Sequence, residues 1–302
     1  MISFIMPAKN AASYIRESIL SLQKEKTVKW ELIVVNDSSE DDTYKIVHGV
    51  SLEDPRVKIY NNTGTGKVQG LNYGFSLSEG QIIKCIDADD VLLPAFFAKY
   101  DDLKNFDAHC HDSFVVDKKL KTIGNYYVNK SIISATYEDV LKYMISIPRW
   151  AWSMKREIAE QVFPMPEDLP FEDVWFSFMI KRRAKDILHI KEKLYLYRQH
   201  TNQTFGGILN YGKAKVNFRA RRMLQLVDCL LKNRERLDMH QSDIFDYSVE
   251  YNSLLTGDFK TGNILRSKLK TLHKGKLLLI CFFPSAASIV TRIKWKFDDL
   301  KH

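Results

Sequence analysis

Cysteine is scarce in this chain, and its cysteines are not grouped. The 302 residues include four cysteines, at positions 85, 110, 229 and 281, and no C-x-x-C pair. This pattern excludes a disulfide scaffold and a thiolate zinc site, and it suits a reducing compartment. No apolar run reaches the roughly 20 residues of a membrane-spanning helix. The first residues, MISFIMPAKN, lack the features of a signal peptide. We therefore expect a cytoplasmic protein.

An excess of charge of either sign is nearly absent from most of the chain. The net charge is +8, but residues 261–302 carry nine Lys and Arg against two Asp, which leaves 36 basic and 35 acidic residues before them. A nucleic-acid-binding protein usually carries positive charge throughout its fold, so we expect no nucleic-acid partner. A basic tail instead predicts contact with anionic lipid or an acidic partner. The content of 45% hydrophobic and 27% charged residues excludes a disordered chain.

The first 90 residues alternate short apolar runs with amphipathic segments. This alternation predicts an α/β domain with a parallel sheet, whose ligands bind at the carboxyl ends of the strands. The predicted strands are Ile2–Met6, Trp30–Val35, Val57–Tyr60 and Gln81–Ile86. Beyond Pro94 we predict strands at 113–116, 122–128, 186–190 and 194–198, and helices at 137–147 and 171–183. After about Thr201 the chain is expected to be helical and basic.

The acidic segment Asp87-Ala88-Asp89-Asp90 follows the fourth predicted strand. Clustered carboxylates are costly unless a cation neutralises them, and Mg²⁺ and Mn²⁺ prefer such oxygen ligands and often bridge to a diphosphate. The alternative is a solvated turn that caps the next helix. A position at the end of a central strand favours the metal site.

A second polar loop, Asn36-Asp37-Ser38-Ser39, follows the second predicted strand. An acidic side chain at such a place can accept hydrogen bonds from a ribose or a base. Alternatively, Ser39 or Asp41 caps the next helix, and both interpretations can hold for different residues of one loop.

Three further groups can carry chemistry or be structural. Glu172 and Asp173 begin a predicted amphipathic helix, where one of them can act as a general base or both can simply complement the helix dipole. Trp150 and Trp152 share one face if they lie on a strand. There they can form a platform that stacks on a sugar ring, or they can be core residues. In Tyr197-Arg198-Gln199-His200 the imidazole is a metal ligand or a structural group, and Arg198 can reach a phosphate.

Taken in order, these segments resemble the inverting glycosyltransferases of family two, which have the A-type glycosyltransferase fold. The matching segments are SFIMPAKNAASYIRESILSL, WELIVVNDSSEDDT, Asn72-Tyr73-Gly74, IKCIDADDVLLP, WAWSMKRE, FEDVWF and YRQH. The resemblance implies a Rossmann-like nucleotide-sugar-binding domain with a mixed, mostly parallel sheet over residues 1–205. A helical, basic C-terminal region would occupy residues 206–302.

The resemblance also implies roles for individual residues. Asp173 would be the catalytic base with Glu172 beside it, and Asp90 would begin the next helix. Asp89 would bind Mn²⁺ or Mg²⁺, with His200 at the metal or the diphosphate. Trp150 and Trp152 would contact the acceptor or the donor sugar. The nucleotide-sugar-binding residues would be Pro7, Ala8, Asn10, Asp37, Lys67, Asn72, Asp87 and Ala88.

One position departs from the family pattern. The family often has Arg-Asn-x-Gly before the fourth strand, where this chain has Leu71-Asn72-Tyr73-Gly74. The nearby Lys67 can supply the missing positive charge, which is why we include it among the binding residues.

The implied activity is transfer of a sugar from a nucleotide-sugar, a UDP-hexose or UDP-N-acetylhexosamine, to a hydroxyl of a glycan or lipid-linked acceptor. Capsule, lipopolysaccharide or related polysaccharide synthesis would be its setting. Two alternatives stay open. A sugar nucleotidyltransferase would need a Gly-rich, basic loop after the first strand, which PAKNAAS is not. A non-catalytic sugar- or lipid-binding module would not need Asp87, Asp89 and Asp173.

The C-terminal region contains an uncharged stretch, Leu277–Thr291, which is too short to span a bilayer and is interrupted by Pro284. Because lysines flank it, we predict a segment that lies on an anionic membrane surface at the inner face of the cytoplasmic membrane. The alternative is a buried helix packed on the catalytic domain.

Overall fold

The computed structural model describes residues 1–200, 213–235, 237, 239, 243–256, 261–287 and 289–290. The chain divides into two compact units. The first comprises Met1–Tyr137, Ser146–Glu167 and Phe171–Arg198, and the second Glu138–Ile145, Asp168–Pro170 and Gln199–His302. The division therefore falls near the expected boundary at 205, but two short segments before it also belong to the second unit.

The first unit is built on one mixed sheet. Its strands are β1 Ile2–Ala8, β2 Trp30–Asn36, β3 Val57–Asn61, β4 Ile82–Cys85, β5 Val91–Leu92, β6 Ala108–Val116, β7 Thr122–Tyr126, β8 Trp152–Lys155 and β9 Ile187–Arg198. Its helices are α1 Ile15–Gln23, α2 Thr43–Glu53, α3 Gly66–Ser76, α4 Tyr100–Asn105, α5 Lys130–Ile133, α7 Arg156–Val162 and α8 Asp173–Arg183, with α6 Tyr137–Tyr143 at the boundary of the two units. Short 3₁₀ turns span Pro94–Lys99 and Arg149–Ala151.

The strand order is β3-β2-β1-β4-β8-β6-β9-β5, with β7 paired to β6. The first four strands are parallel, as predicted, and β6 and β9 form a further parallel pair. The other pairs are antiparallel. Every residue of β1 and β2 is buried, which is the reason that their sequences are mostly apolar rather than alternating; the exceptions are the buried polar residues Ser3, Glu31 and Asn36. The predicted α/β fold class is confirmed.

One predicted pair of strands is a single strand. The segments predicted at 186–190 and 194–198 join into β9, whose register against β6 shifts opposite the charged triplet Lys191-Glu192-Lys193. The triplet interrupts the apolar pattern because Lys191 and Glu192 are exposed, although the backbone continues as a strand.

The second unit is helical where it is described, as predicted. Besides α6 it contains α9 Lys213–Lys232, α10 Asp246–Thr256, α11 Thr261–Arg266 and α12 Thr271–Phe282. Its buried cluster consists of Val216, Ala220, Leu255, Ile264, Leu269, Leu277, Ile280 and Ala287. No helix among the described residues is both long and apolar enough to cross a membrane.

Candidate active site

The polar loops predicted to form the site begin at one edge of the sheet. Ile5 of β1 is aligned with Ile33 of β2 and with Cys85 of β4, and the three strands are parallel, so the segments that follow them emerge together. The loops after β1 and β2 are bonded to each other. The amide of Asn10 donates to Ser39 Oγ at 3.0 Å, and Asn10 Oδ1 accepts from the amide of Glu40 at 2.8 Å. Asn10 and Ser38 both have left-handed backbones, with φ of 50° and 53°. Such strain is typical of ligand-binding loops.

Asp37 joins the end of β2 to the start of α3. Its Oδ1 accepts from Asn62 Nδ2 and from the amide of Gly66, both at 2.9 Å. Gly66 has a φ of +86°, a conformation that side chains disfavour. The carboxylate is thus held by α3, and its predicted contact with a nucleoside stays a prediction.

Asp87 is the anionic end of a charge cluster. Lys67 Nζ lies 2.9 Å from Asp87 Oδ1, and Arg149 Nη2 donates to the same oxygen. Burial alone would raise the pKa of Asp87, but the charges of Arg149 and Lys67 outweigh it and hold that pKa below its usual value. Leu71 is fully buried. The replacement of the family's arginine by Lys67 stays a prediction.

Asp90 has a different role from the predicted one. The next helical turn begins at Pro94, and the buried Asp90 carboxylate accepts from the amide of Arg198 at 2.7 Å. Burial, and then the negative charges of Asp89 and Asp87, raise the pKa of Asp90 well above its usual value. Arg198 Nε also donates to the carbonyl of Asp89 at 2.6 Å. The end of β9 therefore holds the acidic loop in place.

A divalent cation fits this loop only if a substrate contributes ligands. Among the described residues, no group of three His, Cys, Asp or Glu converges to hold a metal. Asp87 is neutralised by two cations and Asp90 is buried, which leaves the half-buried Asp89 as the candidate ligand. Mg²⁺-like ions are commonly held by one or two carboxylates together with substrate phosphates, so this donor set suits a metal–diphosphate complex.

Glu172 and Asp173 stand at the start of α8 in unlike surroundings. Glu172 Oε1 accepts from Arg149 Nε at 3.1 Å and lies 3.2 Å from Lys67 Nζ, whereas Asp173 Oδ1 accepts from the amide of Arg149 at 2.8 Å. Burial raises the pKa of Glu172, but Lys67 and Arg149 outweigh it and lower that pKa. Burial and the charge of Glu172 raise the pKa of Asp173 to about 6. The opposite shifts of the two pKa values distinguish Glu172, an ion-pairing acid, from Asp173, a candidate base.

The predicted tryptophan platform is not formed. Trp150 lies in the 3₁₀ turn Arg149–Ala151 while Trp152 begins β8, so the two do not share a strand face. Both side chains are buried, and Trp150 stacks on Tyr195 and Tyr197 with ring centroids 5.1 Å and 5.2 Å away. Both tryptophans are core residues.

The remaining predicted residues are placed as follows. Asn72 is occupied structurally, since its Nδ2 donates to the carbonyl of Met165 at 2.8 Å and its Oδ1 accepts from the same residue's amide at 2.7 Å. Pro7 and Ala8 are buried in β1, and Ala88 is buried in the acidic loop. His200 belongs to the second unit, and its metal role stays a prediction.

Sequence analysis missed two buried cations. Arg149 contacts both acids of the helix start as well as Asp87. Lys84 of β4 donates to the carbonyl of Trp150 at 2.7 Å and lies 2.9 Å from His111 Nε2. Burial, together with the positive charge of Arg149, lowers the pKa of Lys84 to about 7. The lysine inside the apolar strand QIIKCI is a signal that could have been noticed, but the position of Arg149 offers none.

Comparison with curated proteins finds glycosyltransferases. The chain is 27% identical to an uncharacterized glycosyltransferase of Haemophilus influenzae over 216 residues, covering 68% of this chain and 67% of that protein. It is 31% identical to the chondroitin synthase of Pasteurella multocida over 94 residues, covering 31% of this chain and 10% of that protein.

Comparison with solved structures finds the same fold at low identity. TarS residues 1–349 of S. aureus, in complex with UDP-GlcNAc, match with a TM-score of 0.58 and 15% identity, over 95% of this chain and 88% of that one. The mannosyltransferase PcManGT of Pyrobaculum calidifontis, in complex with GDP-Man and Mn²⁺, matches with a TM-score of 0.55 and 16% identity, over 98% of this chain and 87% of that one. The model of the family described as glycosyl transferase family 2 matches residues 3–162, which is more than half of the 302 residues. The chain belongs to glycosyl transferase family 2.

Proposed function

We propose that this glycosyltransferase moves a hexose or N-acetylhexosamine from a UDP-sugar to a hydroxyl of a glycan or lipid-linked acceptor, with inversion at the anomeric carbon. The observation that carries this proposal is the acid pair at the start of α8. One acid, Glu172, is held ionised between two cations, while its neighbour Asp173 has a pKa raised to about 6. A general base works best when its pKa lies near the working pH, so Asp173 suits proton abstraction.

The proposed reaction is a direct displacement. The carboxylate of Asp173 takes the proton of the acceptor hydroxyl, and the hydroxyl oxygen attacks the anomeric carbon opposite the nucleotide. The bond to the diphosphate breaks with its electron pair staying on the diphosphate oxygen. The transition state resembles an oxocarbenium ion, as in glycoside hydrolysis. Base assistance of this kind contributes about 10²- to 10⁴-fold in rate.

The nucleotide would be held by the loops that follow β1, β2 and β4. The mutual bonds of Asn10 and Ser39, and the bonds of Asp37 to α3, keep the first two loops rigid before a ligand arrives. Rigid loops reduce the ordering cost of binding. Asp89 would bind Mn²⁺ or Mg²⁺ together with the diphosphate. When bound, the cation would stabilise the charge of the leaving diphosphate as a Lewis acid.

Similar proteins support this proposal without fixing the substrate. TarS binds UDP-GlcNAc and PcManGT binds GDP-Man with Mn²⁺, so the neighbours differ in both base and sugar. We favour UDP because of the family resemblance of the Asp37 loop. The chondroitin synthase relative supports polysaccharide synthesis as the setting, and capsule or lipopolysaccharide assembly is part of the proposal.

We also propose that the second unit binds the anionic inner surface of the cytoplasmic membrane. Residues 261–290 contain no Asp or Glu, and Lys268, Lys270, Lys274 and Lys276 lie among them. Leu272 is 81% exposed and Phe283 64% exposed. Apolar side chains interspersed with lysines suit the headgroup region of an anionic bilayer.

A screen of nucleotide-sugars tests the donor. We expect one UDP-sugar to raise the melting temperature in the presence of Mn²⁺, because a ligand that binds the native state stabilises it, and the same sugar to release UDP on incubation with acceptor. GDP-mannose and UDP alone serve as controls. Turnover of a nucleoside triphosphate with a sugar phosphate would indicate a nucleotidyltransferase. Binding without turnover of any donor would indicate a non-catalytic module.

A further inference from the structure

Arg149 contacts three acids that come from two separate parts of the first unit. Its Nη2 donates to Asp87 in the loop after β4, its Nε donates to Glu172 at 3.1 Å, and its main-chain amide donates to Asp173 at 2.8 Å. The side chain is 1% exposed. A buried guanidinium with ionic partners on two elements fixes the distance between those elements.

Hydrogen bonds and ring stacking fix the turn that carries Arg149. Lys84 donates to the carbonyls of Trp150 at 2.7 Å and Trp152 at 3.4 Å. The ring of Trp150 is stacked on Tyr195 with an interplanar angle of 6°. Arg149 therefore projects from a rigid support, which is what a group that positions reacting side chains requires.

We propose that Arg149 is a positioning residue that gives the two adjacent acids separate roles. Its guanidinium ties Glu172 to Asp87, so that Glu172 fastens α8 to the acidic loop and does not act as the base. Its main-chain amide orients the carboxylate of Asp173 toward the acceptor hydroxyl. The inference rests on the proposed function, in which Asp173 abstracts a proton.

The charges around Arg149 support this division. It faces Lys67 of α3, Lys84 and Cys85 of β4, Asp87, and the two acids at the start of α8. Lys67 also neutralises Asp87 and Glu172, but its side chain is 46% exposed, so solvent screens it more than Arg149. The charge of Arg149 also acts to lower the pKa of Asp173, against burial and the charge of Glu172, which raise it.

Two substitutions separate positioning from packing. In Arg149→Met we expect kcat to fall about 10²-fold, because small misplacement of a reacting group costs that much, while the KM for the donor changes less than kcat. In Arg149→Lys we expect a loss of about tenfold, because an ammonium keeps the charge but cannot bridge two carboxylates. Arg156→Met is the matched control, since Arg156 is a partly buried arginine that donates to the carbonyls of Gly80 and Ser78. It should lower stability and leave kcat unchanged.

The pH profile gives a readout that a packing defect would not move. Losing the charge of Arg149 raises the pKa of Asp173, so the acid limb of kcat should shift to higher pH in Arg149→Met and stay near its original place in Arg149→Lys. If Arg149→Met does not fold, Arg149→Lys decides alone. A kcat within threefold of the parent in either variant, or an unmoved acid limb in folded Arg149→Met, overturns the proposal.

Thermal unfolding tests the same contacts without any turnover. Arg149→Met and Glu172→Gln should each lower the melting temperature, and the double variant should lower it by less than the sum, since both single changes break the same buried Arg149–Glu172 ion pair. Additive losses would overturn the inference. If the parent protein turns over no nucleotide-sugar, the proposed function fails, whereas this cycle still tests Arg149.

Discussion

At the scale of residues, the environment of each carboxylate determines its chemistry. Asp87 and Glu172 form ion pairs with the guanidinium of Arg149, whereas Asp173 accepts a hydrogen bond from the main-chain amide of the same residue. The two paired acids have lowered pKa values, while that of Asp173 is raised to about 6. Neighbouring positions in the sequence thus differ in which protonation state the fold favours.

Replacing Asp173 tests the assigned base. Asp173→Asn keeps the shape of the side chain and its place beside the Arg149 amide, but the amide side chain cannot take a proton. We expect turnover to fall by about two orders of magnitude or more, with donor binding retained, as measured by steady-state kinetics and calorimetry. Near-normal turnover would transfer the role of base to Glu172.

The pH dependence of turnover follows from the same residue. Asp173 must be ionised to accept a proton, and its pKa in the folded protein is about 6. Turnover should therefore be constant above this value and fall as the pH drops through it, by tenfold for each further pH unit. A profile whose acid limb lies near pH 4, the region of an ordinary carboxyl group, would contradict the raised pKa.

At the scale of elements, the end of β9 secures the acidic loop. The amide of Arg198 donates to Asp90, its Nε donates to the carbonyl of Asp89, and its Nη2 donates to Glu17 of α1 at 2.6 Å. One strand end thereby joins the loop after β4 to the first helix. This arrangement explains why adjacent acids in Asp87-Ala88-Asp89-Asp90 should differ when they are substituted.

Two alanine substitutions separate binding from support within this loop. Asp89→Ala should abolish Mn²⁺-dependent binding of UDP with little change in the melting temperature of the unliganded protein. Asp90→Ala leaves the buried amide of Arg198 without its acceptor and should lower stability by about 1–3 kcal/mol. Calorimetry of UDP binding and thermal unfolding measure the two effects. Equal losses of metal-dependent binding at similar stability would show that the metal ligand has been misassigned.

At the scale of the whole molecule, the second unit combines a core face and an exposed apolar face on one helix. Leu277 and Ile280 of α12 are buried in the cluster with Ile264 and Leu269, whereas Leu272 and the nearby Phe283 are exposed. Leu277 and Ile280 are thus buried within the second unit's own cluster, and contact of the exposed side chains with a membrane stays a proposal. Ending the chain near Thr261 would remove five of the eight buried residues of the cluster, so surface substitutions are a better test than truncation.

Vesicle binding tests the exposed face. The parent chain should co-sediment with vesicles that contain phosphatidylglycerol and dissociate at high salt. Leu272→Glu combined with Phe283→Glu should weaken binding by about 3 kcal/mol or more, roughly a hundredfold, because two large apolar side chains no longer leave water. Leu52→Glu on α2 of the first unit is the control, since Leu52 is 75% exposed. Failure of the parent chain to bind, or equal binding by the double variant, would refute the membrane proposal.

Local patterns in the sequence determined the strands, the polar loops and their common edge. Continuous apolar runs predict β1, β2 and β4 because central parallel strands are buried on both faces. The acidic residues that follow those runs are placed by strand direction alone. The family resemblance then suggested the proposed roles of Asp89 and Asp173, of which Asp89 lies within the residues 3–162 that the family model matches.

Only the tertiary structure decided how those residues are paired. Arg149 lies 62 positions from Asp87 and 23 from Glu172 along the chain, and no local pattern joins them. The same is true of Asp90, whose partner is the amide of Arg198, and of Trp152, whose strand β8 lies between β4 and β6, two strands from earlier in the chain. Burial and ionic pairing depend on residues brought together from distant segments, so the pKa of Asp173 and the two faces of α12 follow from the folded chain and not from its local composition.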